Sequence, residues 1–220
     1  MERVTGIFLD SFLPMLRAGI LYTVPLTIVS FSLGLVLGLL VAIVRISNQR
    51  ALNTVVSGYV WIIRGTPLLV QLFIIFYGLP KIGLTLDAYL AAIIGFTLNV
   101  GAYSSETIRA AILAVDRGQW EASHALGLSK IQTLRLVVFP QAFKVAIPPL
   151  FNSFISHVKD TSLAAAITYT ELFRVAQQIT ARTYEPLLLY SEAALIYLLF
   201  CTVLTALQTK LEKYFTRSGI

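Results

Sequence analysis

Long apolar runs separated by short polar breaks divide the chain into five segments of membrane-spanning character. Met1 to Arg17 is a short amphipathic lead-in broken by Pro14, and Ala18 to Val44 then carries no charge over 27 residues. At about 1.5 Å per residue that is longer than a bilayer core requires, so a first span is predicted, kinked or tilted near Pro25. Within it Gly34 and Gly38 stand four apart, a spacing that lets two helix backbones approach closely in lipid. After a polar turn, 45–50, Ala51 to Ile63 leads into Arg64-Gly65-Thr66-Pro67, and Leu68 to Leu79 completes a second span whose one strongly polar side chain is Gln71. Interrupted backbone at membrane depth is tolerated where protein buries it or where it lines a cavity. Ala88 to Val115 is a third span. Val145 to Val158, opening with Pro148-Pro149, is a fourth, and Leu187 to Leu207 is a fifth. Between the last two, Leu172, Val175, Ala176 and Ile179 recur at helical spacing opposite Glu171, Arg174 and Gln178, predicting a helix at about 168–184 that lies outside the bilayer.

The longest polar island runs from Gln119 to Gln132. Gly127 suits the end of a short helix, because glycine adopts the left-handed conformation without a Cβ penalty. Ser129-Lys130-Ile131-Gln132 is a capping box that starts a second helix, expected to end at Pro140. Ala122, Ala125 and Leu126 share a face of small residues suited to close approach by another protein.

Composition agrees with the pattern. The chain is 57% hydrophobic and 13% charged, with a mean hydropathy of +0.79, against about 25% charged for globular chains. Cys201 is the single cysteine, which excludes a disulfide framework and a multi-cysteine metal site within the chain. The net charge of +6 is scattered singly rather than in a stripe, which argues for membrane orientation and against nucleic acid. With the N-terminus outside and five spans, the loops at 45–64 and 116–144 and the tail carry ten Lys or Arg against three acids, while the outer segments carry six of each. The basic excess then lies inside, as the positive-inside rule expects, and the polar island lies there too. No cleavable signal is apparent at the N-terminus, and no internal repeat is visible.

Ionisable groups at membrane depth are costly and usually face a protein interior or an aqueous cavity. Asn99, Tyr103 and Glu106 share one face of the third span, with Arg109 three residues beyond Glu106. Lys159-Asp160-Thr161 closes the fourth span. An α-amino acid needs acceptors for its ammonium, for which Glu106 or Asp160 qualifies, and donors for its carboxylate, for which Lys159 qualifies with Asn99 or Thr161. Two plainer readings stay open: Glu106 pairing with Arg109, and Lys159-Asp160 marking a membrane boundary. Ser153, Ser156, His157 and Asp160 invite a hydrolase reading. Ser156 and His157, however, point about 100° apart on a helix, and no strained nucleophile turn is present. No Gly-x-x-x-x-Gly-Lys-Ser/Thr phosphate loop occurs, so ATP is not held here by that device.

Glu121-Ala122-Ser123, Gly127 and Phe139-Pro140 resemble the EAA loop of ATP-binding-cassette (ABC) importer permeases, with Ser123 and Phe139 as mild departures. Arg64-Gly65-Thr66-Pro67 through Phe73, Ala102-Tyr103-Ser104-Ser105-Glu106 and Lys159-Asp160-Thr161-Ser162-Leu163 are similar to stretches of the polar amino acid branch, the last two near its translocation pathway. His157 stands where that branch usually has an apolar residue. Asn152 to Ser156, with Glu171 to Gln178 and Thr183, most resembles permeases for cystine and related sulfur amino acids, over those for glutamine, histidine or arginine. The resemblance implies an all-α polytopic fold of the type I ABC importer: one transmembrane domain over residues 1–220, five transmembrane helices, the N-terminus outside and a cytoplasmic coupling helix in the loop at 116–144. It implies coupling residues Glu121, Ala122, Ala125, Leu126, Gly127 and Leu128, and a substrate path drawing on Gln71, Asn99, Tyr103, Glu106, Lys159, Asp160 and Thr161. The implied partners are a second permease copy, two ABC ATPase subunits, an extracytoplasmic substrate-binding protein, a polar amino acid and membrane lipid, with no nucleic acid. No catalytic residue, metal or cofactor is expected in the chain; ATP and Mg²⁺ belong to the partner ATPase. An ion-gradient-driven secondary carrier is the competing class, and it predicts an inverted repeat that is not seen.

Overall fold

The computed structural model describes residues 2–47 and 49–217; Met1, in the N-terminal lead-in, and Asn48, in the turn expected at 45–50, lie outside the described residues. The described chain is helical. Its elements are α1 (Glu2–Ala18), α2 (Val24–Ile46), α3 (Arg50–Gly65), α4 (Leu68–Phe73), α5 (Ala88–Leu113), α6 (Arg117–Ala125), α7 (Lys130–Thr133), α8 (Phe139–Asp160), α9 (Leu172–Thr183) and α10 (Pro186–Arg217). Among the described residues, four helices are long and apolar enough to cross a membrane: Arg3–Ile46, Ala88–Leu113, Lys130–Ile167 and Pro186–Lys213. A fifth crossing forms if α3 and the helix continuing from α4, bent by 107° at their junction, count as one span.

The first helix is longer than the sequence pattern predicts. Pro14 sits inside α1 without breaking it, and α1 passes into α2 through a π-helical turn, Gly19–Thr23. In that turn the Val24 amide donates to the Gly19 carbonyl, five residues back, just before Pro25, which has no amide to donate. The helix beginning at Lys130 departs further. Pro140 does not end it, and Pro148-Pro149 does not open a span; all three prolines lie within one helical run from Lys130 to Ile167. Another π turn, Leu134–Val138, again carries the chain into a proline, with Phe139 donating to Leu134. Pro140 then occupies the first turn of α8, where a missing amide costs little. Prolines inside membrane helices are tolerated where neighbouring groups and local π adjustment satisfy the freed carbonyls.

The close approach of α2 and α5 organises the bundle. A Cβ on Gly34 would lie 2.5 Å from Val100 Cγ1, one on Gly38 3.1 Å from the Gly101 carbonyl, and one on Gly101 2.8 Å from Leu37 Cδ2. The four-residue glycine spacing therefore serves contact within this chain. Three buried clusters follow along the bundle. Leu26, Leu72, Phe96 and Ile167 pack in one, Met15, Leu172, Leu189 and Ile196 at the α9 end, and Ile112, Val138 and Ala142 at the opposite end with Ile46 and Trp120 against them. Outward-facing Val36, Trp61, Leu198 and Val203 remain at least 60% exposed, as expected of surface that meets lipid or another subunit.

Candidate translocation cavity and coupling turn

The bend in the second span is a built feature. Thr66 and Pro67 are extended, and the Gln71 amide donates to the carbonyls of Ile63 (2.8 Å) and Thr66 (3.1 Å) and lies 2.9 Å from the Thr66 hydroxyl. A buried side chain thus replaces the helical hydrogen bonds that the break removes. Beside the break opens a cavity of about 490 Å³. Thr66 and Pro67 form one wall, Asn99 and Tyr103 of α5 another, and Asn152, Ser153, Ser156, His157 and Asp160 of α8 a third. These α8 residues recur three and four apart, so they form one polar stripe on a helix. Asn152 Oδ1 accepts from Gln208 on α10 at 3.0 Å, which fixes its carbonyl side. His157 is 3% exposed; its Nε2 lies 2.8 Å from the Ser30 hydroxyl and its ring packs against Phe31 and Phe96. The imidazole therefore ties α8 to α2 and does not activate Ser153 or Ser156, which removes the basis of a hydrolase reading.

Of the seven residues assigned to a substrate path from the sequence, Asn99, Tyr103 and Asp160 meet at this cavity. The other four do not line it. Gln71 serves the bend, Thr161 is buried and donates to the Val158 carbonyl at 2.7 Å, and Lys159 is exposed. Glu106 shares its helix face with Asn99 and Tyr103 but belongs to a separate cluster, paired with Arg45 and, at 2.9 Å, with Arg109. The pairing with Arg109 was one of the two plainer readings left open; the added partner Arg45 was not visible from α5 alone. Sequence reasoning missed Asn152 and Thr66 as cavity residues and Ser30 as the partner of His157. The spacing of the α8 stripe carried the signal for Asn152.

The coupling region has the local geometry that its sequence dictates. Asp116 caps α6 by accepting from Gly118 at 2.7 Å. Gly127, at φ +74°, ends it, with Gly127 donating to His124 (2.9 Å) and Leu128 to Ser123 (3.1 Å), the paired bonds of a left-handed helix terminus. The capping box at Ser129 and Gln132 is complete in both directions. Ser123 turns inward, 2% exposed, and bonds back to Gln119. Glu121, Ala122, Ala125 and Leu126 face outward, Leu126 at 80% exposure.

At the far end, Glu171 corrects the helical-wheel expectation. It is fully buried, at 0% exposure, rather than on the polar face. It caps α9, accepting from Phe173 (2.9 Å), Arg174 (2.7 Å) and the Tyr197 hydroxyl (2.8 Å). Burial pushes its carboxyl up to about 7, against these hydrogen bonds, which pull the other way.

Residues 34–217 match the family described as binding-protein-dependent transport system inner membrane component. The chain is 54% identical over 209 residues to the L-cystine transport system permease protein TcyB of Bacillus subtilis (strain 168), covering 94% of this chain and 89% of that protein. It is 41% identical over 209 residues to the probable amino-acid ABC transporter permease protein YckA of the same organism, covering 95% and 92%. Among solved structures, the crystal structure of an amino acid ABC transporter with histidines superposes with a TM-score of 0.83 at 34% identity, covering 97% of this chain and 96% of that one. A helical bundle built on a broken span, carrying a capped turn at one end and sharing this degree of likeness along nearly its whole length, belongs to the binding-protein-dependent inner membrane permeases of ABC amino acid importers.

Proposed function

We propose that this permease imports L-cystine or a closely related polar amino acid by alternating access, through the cavity beside the Thr66-Pro67 bend. The observation that carries the reading is the polar lining of that cavity by Asn99, Asn152, Ser153, Ser156 and Asp160, in a chain whose relative at 54% identity is an L-cystine permease. Asp160 is the acceptor for a substrate ammonium, and the amide and hydroxyl groups supply the remaining hydrogen bonds. Tyr103 offers an apolar ring for the side chain between them. Gln71 acts indirectly, by holding the bend that brings Thr66 to the wall.

The same reading takes the bent pair as one span, giving five, with the N-terminus outside and residues 1–220 acting as one transmembrane domain. Two copies associate, and the outward face of Glu121, Ala122, Ala125 and Leu126, with the turn at Gly127 and Leu128, sits against an ATPase subunit on the inner side. ATP-driven closure of the ATPase pair then moves the bundle between two states, while an extracytoplasmic binding protein delivers the substrate. Lys159 and Thr161 belong to the boundary of the α8 run rather than to the substrate path.

The test is reconstitution in liposomes with candidate ATPases and binding proteins, measuring ATP hydrolysis and uptake over a panel of amino acids. L-Cystine stimulates both, and Asp160→Asn lowers uptake about ten-fold or more, as loss of a charged hydrogen bond implies, while the complex still assembles. Accumulation by the isolated chain without an ATPase refutes the reading.

A further inference from the structure

A second cavity, of about 440 Å³, is lined by Arg45, Ser57, Trp61, Arg64 and Glu106. Its charge does not balance. The Glu106 carboxylate is shared between Arg45 and Arg109, and Arg64 makes no ion pair among the described residues. Arg45 is within Coulombic reach of both Arg109 and Arg64. Three guanidinium groups therefore gather around one carboxylate, in helices whose other faces are apolar. Clustered like charges of this kind are costly unless they face water or a ligand, and in membrane proteins such groups mark substrate or ion paths.

Arg64 also stands on the wall between the two cavities. Its guanidinium carbon lies 5.3 Å from the centre of the Tyr103 ring, within cation–π range. Tyr103, Thr66 and Pro67 line the first cavity, whereas Arg64 and Gly65 line the second. The first cavity presents a carboxylate, Asp160, and neither Lys nor Arg. A zwitterion held there has a charged acceptor for its ammonium and no charged donor for its carboxylate. Those donors stand one ring away, toward the end of the bundle where Ile46 packs beside Trp120 of α6.

We propose that the Arg64 and Arg45 cluster is an exit site, which binds the substrate carboxylate as the amino acid leaves the polar cavity toward the coupling-turn end, with the Tyr103 ring as the partition it passes. Glu106 keeps two of the three guanidinium groups in place and leaves the fork of Arg64 free for bidentate contact with a carboxylate. The inference rests on the reading of this chain as an amino acid importer and goes beyond it by dividing the path into an ammonium-holding and a carboxylate-holding step.

The experiment compares the assembled wild-type complex with Arg64→Gln and Arg64→Lys in liposomes, reading amino acid moved per ATP hydrolysed, with subunit assembly followed by size-exclusion chromatography. Arg64→Gln lowers the substrate moved per ATP by about ten-fold, as expected for a lost charged hydrogen bond, with assembly and substrate-stimulated ATP hydrolysis retained. Arg64→Lys, which keeps the charge and loses the fork, falls between the two. An unchanged ratio in Arg64→Gln overturns the proposal. So does an equal loss in both variants, or dissociation of the subunits, which assigns Arg64 to a protein contact. A wild-type complex that moves no amino acid at all refutes the importer reading itself, separately from any difference among the variants.

Discussion

Replacing Glu171 by Gln tests whether the α9 cap is held by a protonated carboxyl. Glu171 is buried where α2, α9 and α10 converge: it caps the first amides of α9 and takes the Tyr197 hydroxyl, while the adjacent Leu172 amide donates to Thr23 Oγ1 at 3.2 Å. Its carboxyl is raised from 4.5 to about 7. An acid raised in the fold binds its proton more tightly when folded than when unfolded, so stability is fully present below pH 4.5 and is lost as the pH climbs through 7. At about 1.4 kcal/mol per pH unit, the loss across that window is on the order of 3 kcal/mol. For a chain of this size, about 2–4 °C per kcal/mol makes this a fall in Tm of roughly 6–12 °C. The assay is thermal unfolding of the purified permease in detergent from pH 4 to 8. Glu171→Gln carries no charge at any pH, keeps one acceptor for the α9 amides, and flattens the profile in that window. The variant is therefore less stable than wild type at pH 4.5, by the lost acceptor, and more stable at pH 8. Other carboxylates contribute equally to both proteins and cancel in the difference. Parallel profiles for the two proteins refute the argument.

Gly34→Ala destabilises by about 1–3 kcal/mol, the usual cost of overpacking, because its Cβ meets the Cβ of Val100 at 2.6 Å; Gly58→Ala, which meets nothing within 4 Å, is the control and is neutral or stabilising in the same thermal melt. Gly127→Pro abolishes the left-handed turn, since proline is locked near −65° where φ is +74°. Co-purification of the ATPase is lost while the melting temperature of the spans is retained; an ATPase that still co-purifies removes the turn from the coupling interface.

Much of this molecule is written in local signals. The Gly127 stop, the Ser129 capping box, the interruption at Thr66-Pro67 and the Gly34 to Gly38 spacing each depend on a few adjacent residues, and each forms as chemistry requires. The prolines misled, because a proline ends a helix only where nothing absorbs the missing amide. Two π turns shift the bonding by one residue ahead of Pro25 and Pro140, and the helices run on. No periodicity in the sequence announces such a turn. Glu171 misled for a different reason. A helical wheel assigns direction from position, but a capping residue has already left helical geometry, with φ −116° and ψ −175°, so its side chain folds back over the helix end instead of pointing outward.

Asn99, Tyr103 and Glu106 mark the limit of one-helix reasoning more sharply. Spacing correctly sets them on one face of α5, yet a face is a line along a helix, and what lies opposite changes along that line. Opposite Asn99 and Tyr103 stand the polar stripe of α8 and the broken backbone at Thr66; one turn further on stand Arg45 and Arg64. The bend of 107° between α3 and α4 lets a single span contribute to both, presenting Thr66 to one cavity and Arg64 to the other. A straight second span would keep Arg64 and Thr66 on one continuous helix and remove the wall between them. The separation of the two cavities therefore depends on the Gln71 amide that holds the bend, a residue that touches neither cavity.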